Sequence, residues 1–274
     1  MNDLNNRASF QGLILTILIM MVVSPIACSE IIDSLKLKNA LIKYAIPKYD
    51  FKVVHIYPHD TQSFTQGLLF DEDKLYESQG IYGHSKISIK AFPTMKPIRQ
   101  LNIPSDCFSE GIAIIKNNLY LLTYREHEGF VFDKSMLTLK ESFQFNGEGW
   151  GLTSANNQLI MSNGSGILTY LSSTTFKPLK QVAVKIQDKL LSGLNELEYA
   201  NDKIYANVLP TSIILIVSPL SGQVESWLDI ESLKPTQDCP LNICVANGIA
   251  YNPRHQSFLV TGKYWPSLYE IKIT

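Results

Sequence analysis

The rhythm of apolar and polar positions changes near residue 50. Between Glu30 and Asp50, Ile31, Ile32, Leu35, Leu41 and Tyr44 recur at helical spacing, and Pro47 closes the run. This predicts a short helix or an extended linker over 30–50. Ahead of it, Leu13 to Val23 is an apolar run of eleven residues in which only Thr16 is polar. At about 1.5 Å per residue it is too short to span a bilayer comfortably, and it suits the apolar core of a secretory signal. After residue 50 the apolar runs become short, β-branched and aromatic, separated by Asn, Asp and Gly. That is the pattern of an all-β domain.

The all-β region repeats itself. Five segments share one form, an apolar strand, a polar turn and a second apolar strand. They are GLLFDEDKLYES from Gly67, GIAIIKNNLYLLTY from Gly111, GLTSANNQLIMSNG from Gly151, ELEYANDKIYANV from Glu196 and GIAYNPRHQSFLVTG from Gly248. Their starts lie 44, 40, 45 and 52 residues apart. The turns, such as Asp71-Glu72-Asp73-Lys74 and Lys116-Asn117-Asn118, are hairpin chemistry. A period of this length accommodates about four short strands, which is one propeller blade. The expected fold of 51–274 is therefore an all-β, five-bladed β-propeller. A β-sandwich is the runner-up, and it gives no reason for a regular period.

Composition narrows the function. The 274 residues carry 24 Lys plus Arg and 25 Asp plus Glu, so no basic field exists for nucleic acid. Ala27-Cys28-Ser29 places small residues where a signal peptidase would cut, and Ile26-Ala27-Cys28 partly matches a lipid-attachment signal. Residues 1–29 are thus expected to be a signal peptide or a lipoprotein signal. The domain would be secreted or periplasmic, or lipid-anchored at Cys28, with the N-terminus as its sole membrane attachment. A monomer is expected, because propellers close on themselves. Cys239 and Cys244 flank four residues that begin with Pro240. A local disulfide and a pair of buried thiols are both open readings. No Cys-x-x-Cys pair or His cluster suggests zinc, and a structural calcium ion is left open. His55, His59, His84, His127 and His255 are scattered and are expected at the surface or in loops.

In a propeller, equivalent positions just before each repeated hairpin converge at one mouth of the central channel. Here they are Gln66, Glu110, Trp150, Asn195 and Asn247. One acid, three amides and an indole form a set suited to a small polar ligand. The amides orient it, the indole packs it and the carboxylate moves a proton. The competing reading has Glu110 accepting bonds from backbone N–H groups, the glycines serving blade geometry and Trp150 filling core. Glu196 and Glu198 alternate along one strand. One is expected to brace the channel and the other to face a neighbouring blade.

Local motifs then carry a resemblance. They run in order from Pro58-His59-Asp60, Phe64-Thr65-Gln66-Gly67 and Leu75-Tyr76-Glu77-Ser78 to Gly80-Ile81-Tyr82-Gly83, Ser109-Glu110-Gly111 and Gly149-Trp150-Gly151-Leu152. They continue with Leu194-Asn195-Glu196-Leu197-Glu198-Tyr199, Tyr205-Ala206-Asn207, Asn247-Gly248-Ile249-Ala250 and Thr261-Gly262-Lys263-Tyr264-Trp265-Pro266. From about residue 50 onward the chain resembles the plant and bacterial type of glutaminyl-peptide cyclotransferase. The resemblance implies a five-bladed propeller and an enzyme that converts N-terminal glutamine of peptides or proteins to pyroglutamate, releasing ammonia. It implies no required cofactor. It places the catalytic acid at Glu110, with Lys263 and Asn195 completing the catalytic set. Gln66, Trp150, Tyr124 and Asn247 are the expected substrate-binding residues. There are departures from the family pattern. Tyr124 and Leu209 stand where tryptophans are usual, Ser109 where glycine is usual, and Asn163 where aspartate is usual. The alternative function is a non-catalytic propeller that binds peptide N-termini or another small polar ligand.

Overall fold

The structure, a computed structural model, describes residues 34–236 and 243–274. The apolar run Leu13–Val23, the residues Ala27–Ser29 and Cys239 lie outside the described residues. Helix α1 (Ser34–Lys43) occupies part of the 30–50 segment. It ends before Pro47. Ala45 takes a left-handed φ of 51°, and the Ile46 N–H donates to the Leu41 carbonyl at 2.9 Å. This closes the last turn without glycine. The segment is not an extended linker at this point. Leu37 and Leu41 join a core cluster with Leu197, Leu215 and Trp227, and Lys38 pairs with Asp229 at 2.7 Å. No helix among the described residues is long and apolar enough to cross a membrane.

Among the described residues, five four-stranded antiparallel sheets follow, one per sequence repeat. The first comprises β2 (Thr65–Asp71), β3 (Lys74–Gln79), β4 (Lys86–Ala91) and β5 (Lys96–Asn102). The second comprises β6 (Ser109–Ile115), β7 (Asn118–Thr123), β8 (Glu128–Asp133) and β9 (Leu139–Gln144). The third comprises β10 (Leu152–Ala155), β11 (Gln158–Met161), β12 (Ile167–Ser172) and β13 (Pro178–Ala183). A small hairpin, β14 (Lys185–Ile186) and β15 (Lys189–Leu190), precedes the fourth. The fourth comprises β16 (Leu194–Ala200), β17 (Lys203–Val208), β18 (Ile213–Val217) and β19 (Val224–Asp229). The fifth comprises β20 (Ala246–Asn252), β21 (Ser257–Gly262) and β22 (Ser267–Ile273), and β1 (Phe51–Pro58) supplies its outer strand. The repeat pattern did not reveal this last pairing, in which Phe51 lies opposite Ile273. It joins the two ends of the propeller.

The repeated hairpins form the inner half of each blade. Strands β2, β6, β10, β16 and β20 neighbour one another in a closed ring around the axis. Both faces of a blade pack against neighbours, which is why strands such as β18 are buried at every position. The apolar side chains sort into five clusters, one between each pair of adjacent blades. The ring is tight. A Cβ on Gly151 would sit 2.0 Å from the Asn195 carbonyl oxygen, so no larger residue fits there without backbone movement. In the fourth blade the glycine is replaced by Glu196. Its two oxygens accept the Leu68 N–H at 3.2 Å and the Ile249 N–H at 2.8 Å. Glu198 accepts the Tyr251 N–H at 2.8 Å. Both glutamates therefore brace the fifth blade, and Glu196 reaches the first as well.

Cys107 is buried and free, whereas Cys244 is disulfide-bonded.

Candidate active site

Four of the five ring residues sit at the second position of an innermost strand: Gln66 on β2, Glu110 on β6, Asn195 on β16 and Asn247 on β20. At each, the pairing with the next strand loses register, between Thr65 and Gly67, Ser109 and Ile112, Leu194 and Leu197, and Ala246 and Ile249. A β-bulge re-aims side chains at a strand end. Here four equivalent bulges turn polar side chains away from the ladder. Trp150 lies just ahead of β10, in the corresponding place. It is half-buried, and the other four are buried.

A chain of side-chain bonds joins three of these residues. Asn247 Nδ2 donates to the Thr65 carbonyl at 2.9 Å and to Gln66 Oε1 at 3.2 Å. Gln66 Nε2 in turn donates to Glu110 Oε1 at 3.1 Å. Among the described residues, no backbone N–H donates to the Glu110 carboxylate. Glu196 is the buried acid that accepts backbone N–H groups, so the bracing role belongs there and not at Glu110. Asn195 is 2% exposed, and its Oδ1 has no hydrogen-bond partner.

Lys263 follows β21 in a turn tied down on several sides. Its N–H donates to Val245 O at 2.9 Å, and the Tyr264 N–H donates to Ser63 O at 2.7 Å. The side chain is 6% exposed, with Nζ 4.3 Å from the centre of the Phe64 ring. Lys263 is therefore not at a solvent-exposed rim. Among the described residues it forms no direct ion pair. Burial holds the Glu110 carboxyl well above the usual carboxylate range. The charge of Lys263 opposes this, and Glu148 and Glu126 reinforce it. Burial likewise pushes the Lys263 ammonium down to about 8, against the pull of Glu110. Desolvation thus outweighs the attraction between the two groups.

An aromatic wall lines the same end. Phe108 and Tyr124 have ring centres 5.8 Å apart, and Tyr124 and Trp150 are 6.5 Å apart at 61°. Polar groups clamp this wall. Trp150 Nε1 donates to Glu148 at 3.0 Å, and Arg125 Nε reaches the other Glu148 oxygen at 3.0 Å. Arg125 Nη2 donates to the Tyr124 hydroxyl at 3.0 Å, with its guanidinium 4.6 Å from the ring centre. The hydroxyl at Tyr124 is thus in use.

A buried network that sequence reasoning missed links the first blade to the turn of the fifth. His59 was expected at the surface or in a loop. It does lie in the loop between β1 and β2, yet it is buried, while His55, His84, His127 and His255 are exposed. His59 Nε2 lies 2.9 Å from Glu77 Oε1, and Nδ1 lies 2.7 Å from the Trp265 carbonyl. Glu77 also accepts from Thr65 Oγ1 at 2.8 Å and from Lys90 Nζ at 3.0 Å. Burial would lower the His59 pKa, but Glu77 and the Trp265 carbonyl together raise it. The network joins the strand that carries Gln66 to the turn that carries Lys263. Asn207 lies in a motif that carried the resemblance but was not singled out. It is buried, and its Oδ1 accepts the Gly248 N–H at 2.9 Å.

At the other end of the inner strands lies a cavity of about 170 Å³, lined by residues that include Ile112, Thr153 and Glu198. Burial pushes the Glu198 carboxyl up to about 8. Among the described residues, no three His, Cys, Asp or Glu side chains are grouped to hold a metal ion.

Comparison with known proteins agrees with this architecture. Residues 22–273 match the sequence profile of the family described as glutamine cyclotransferase. The chain is similar to a glutaminyl-peptide cyclotransferase of Arabidopsis thaliana, with 32% identity over 228 residues, covering 82% of this chain and 71% of that protein. It is also similar to the crystal structure of Myxococcus xanthus glutaminyl cyclase, with a TM-score of 0.77 and 31% identity, covering 83% of this chain and 98% of that one. A five-bladed propeller matched over this length by both sequence and structure places the chain in the glutamine cyclotransferase family.

Proposed function

We propose that the Glu110 mouth converts N-terminal glutamine of peptides or proteins to pyroglutamate, and that Glu110 carries the proton. The observation behind this is the setting of Glu110. It is buried beside a buried ammonium, and a side-chain amide rather than backbone N–H groups binds it. A carboxyl with a raised pKa serves as base and then acid near neutral pH.

The chemistry runs in two stages. The neutral α-amine of the glutamine attacks its own side-chain carbonyl carbon, and the Glu110 carboxylate takes the amine proton. The C–N bond of the carboxamide then breaks, and the Glu110 acid gives that proton to the departing nitrogen. Ammonia leaves and the five-membered lactam remains. Ring closure is intramolecular, so holding the reactive conformer supplies part of the rate. Gln66 orients Glu110, with Asn247 fixing the direction of the Gln66 amide. Lys263 supplies positive charge for the oxyanion, and Asn195 positions the carboxamide. Tyr124 and Trp150 form the wall against which the glutamine side chain packs. This mechanism requires no cofactor. We further propose that the domain acts outside the cytosol as a monomer, after signal cleavage near Ser29 or lipid attachment at Cys28.

Glu110→Gln tests the assignment. The variant keeps the size of the side chain and loses the proton carrier. It is expected to bind a glutamine-initiated peptide while turnover falls by about 10²-fold or more. Turnover near the wild-type rate refutes Glu110 as the proton carrier. Peptide binding without turnover in the wild type points to the non-catalytic propeller instead.

A further inference from the structure

The cyclase reading leaves one set of atoms unused. Six buried side-chain polar atoms among the described residues have no hydrogen-bond partner, and three of them are serine hydroxyls. The other three are amide atoms of the mouth: Asn195 Oδ1, Asn207 Nδ2 and Asn247 Oδ1. A buried polar atom without a partner costs about 1–3 kcal/mol. Three such atoms in one place point to a ligand that completes them.

Their placement is consistent with one ligand. Asn207 lies on β17 opposite the β16 bulge that carries Asn195, since Leu194 pairs with Val208 and Leu197 with Ala206. Asn207 Oδ1 holds the Gly248 N–H, next to Asn247. The other end of each of these two amides is already committed. Asn207 Oδ1 is taken by Gly248, and Asn247 Nδ2 is taken by Thr65 and Gln66. These bonds set which atom of those two amides is left over, the donor Asn207 Nδ2 and the acceptor Asn247 Oδ1. Asn195 adds a buried, unpartnered Oδ1 as a second acceptor, and among the described residues no bond from a neighbouring residue occupies its amide group. A primary carboxamide offers the complement, two N–H donors and one carbonyl acceptor.

We infer that Asn207 is a substrate-contacting residue whose Nδ2 donates to the carbonyl oxygen of the glutamine side chain, while Asn195 and Asn247 Oδ1 accept from its NH2 group. The inference rests on the cyclase reading and deepens it. Negative charge grows on that carbonyl oxygen as the amine attacks, so the Asn207 bond strengthens toward the transition state. The same set discriminates. A glutamate side chain has no N–H for Asn195 and Asn247, and its carboxylate would face two carbonyl oxygens. Sites built to bond a substrate N–H reject analogues that lack it.

Asn207→Asp tests the donor. Aspartate keeps an oxygen for the Gly248 N–H and puts an acceptor oxygen, charged when ionised, where the Nδ2 donor stood. With a glutamine-initiated peptide, kcat is expected to fall about 100-fold, with KM changed less than about threefold. A folded variant whose kcat stays within threefold of wild type overturns the inference. So does a loss confined to thermal stability. A second measurement needs no variant. A glutamate-initiated peptide, used as a competitor of the wild type at neutral pH, is expected to inhibit with a Ki at least about 100-fold above the glutamine KM. Equal affinity overturns the carboxamide complement. Wild-type protein with no activity on the glutamine peptide would bring down the cyclase reading itself, and this inference with it. That result is distinct from an active wild type with an indifferent Asn207.

Discussion

Replacing Glu77 by Gln removes the charge at the centre of the buried network that links the first blade to the turn of the fifth. Glu77 and His59 side chains are both 0% exposed, and Lys90 is 16% exposed. Glu77 accepts from His59, Thr65 and Lys90 at 2.9, 2.8 and 3.0 Å. Glutamine keeps one oxygen and turns an NH2 toward donors, leaving buried cations without their counter-charge. Breaking a buried pair from one side costs about 3–5 kcal/mol. For a domain of this size, about 2–4 °C of melting temperature is lost per kcal/mol, so the midpoint should drop by about 6–20 °C. The loss should depend on pH. The Glu77 carboxyl is held well below its ordinary 4.5, so its contribution is present above that value and is lost as pH falls below it. His59 is raised above its ordinary 6.5, so its contribution is complete below that value and is lost as pH rises through the raised one. The gap between wild type and Glu77→Gln should therefore be widest between about 4.5 and 6.5. Urea unfolding followed by tryptophan fluorescence at several pH values measures it. A loss under 1 kcal/mol throughout, or a gap that does not change with pH, refutes the reasoning.

Two further substitutions probe the mouth. Lys263 is held down to about 8, so if its charge serves the reaction, kcat/KM should lose activity as pH rises through that value. Arginine does not deprotonate in this range, so Lys263→Arg should lose the alkaline limb. The ratio of the two profiles removes the titration of the substrate amine, and identical limbs contradict the role. Leu209 is half-buried, and its N–H donates to Gly193 O at 2.8 Å. Leu209→Trp returns the tryptophan usual at this position in the family and should lower KM by about 2- to 10-fold, the worth of one aromatic contact. An unchanged KM counts against a substrate contact there.

The blade count was legible because each repeat is one hairpin unit, and its turn residues and apolar runs are local features. The ring positions were legible for the same reason. Gln66, Glu110, Asn195 and Asn247 occupy one register of that unit, and each sits on a bulge. The pairing of β1 with β22 joins residues more than 200 positions apart, and nothing local in Phe51–Pro58 marks its partner. His59 does lie in the loop between β1 and β2, but its burial was not legible because its partners Glu77 and Trp265 come from two distant segments. The balance between Glu110 and Lys263 depended on burial depth, which composition does not encode. Asn207 lies one strand away from the ring register, so the repeat did not select it. It became visible only through the atom it leaves unbonded.

The most direct test of the account is ammonia release from a short peptide beginning with glutamine, with pyroglutamate identified in the product by mass. Wild type and Glu110→Gln are compared, and a peptide beginning with asparagine runs beside them. The account predicts rapid release by wild type, none above background from the asparagine peptide, and loss of turnover in Glu110→Gln that still binds the glutamine peptide. Folded wild-type protein that releases no ammonia, or a Glu110→Gln variant that releases it at the wild-type rate, contradicts it.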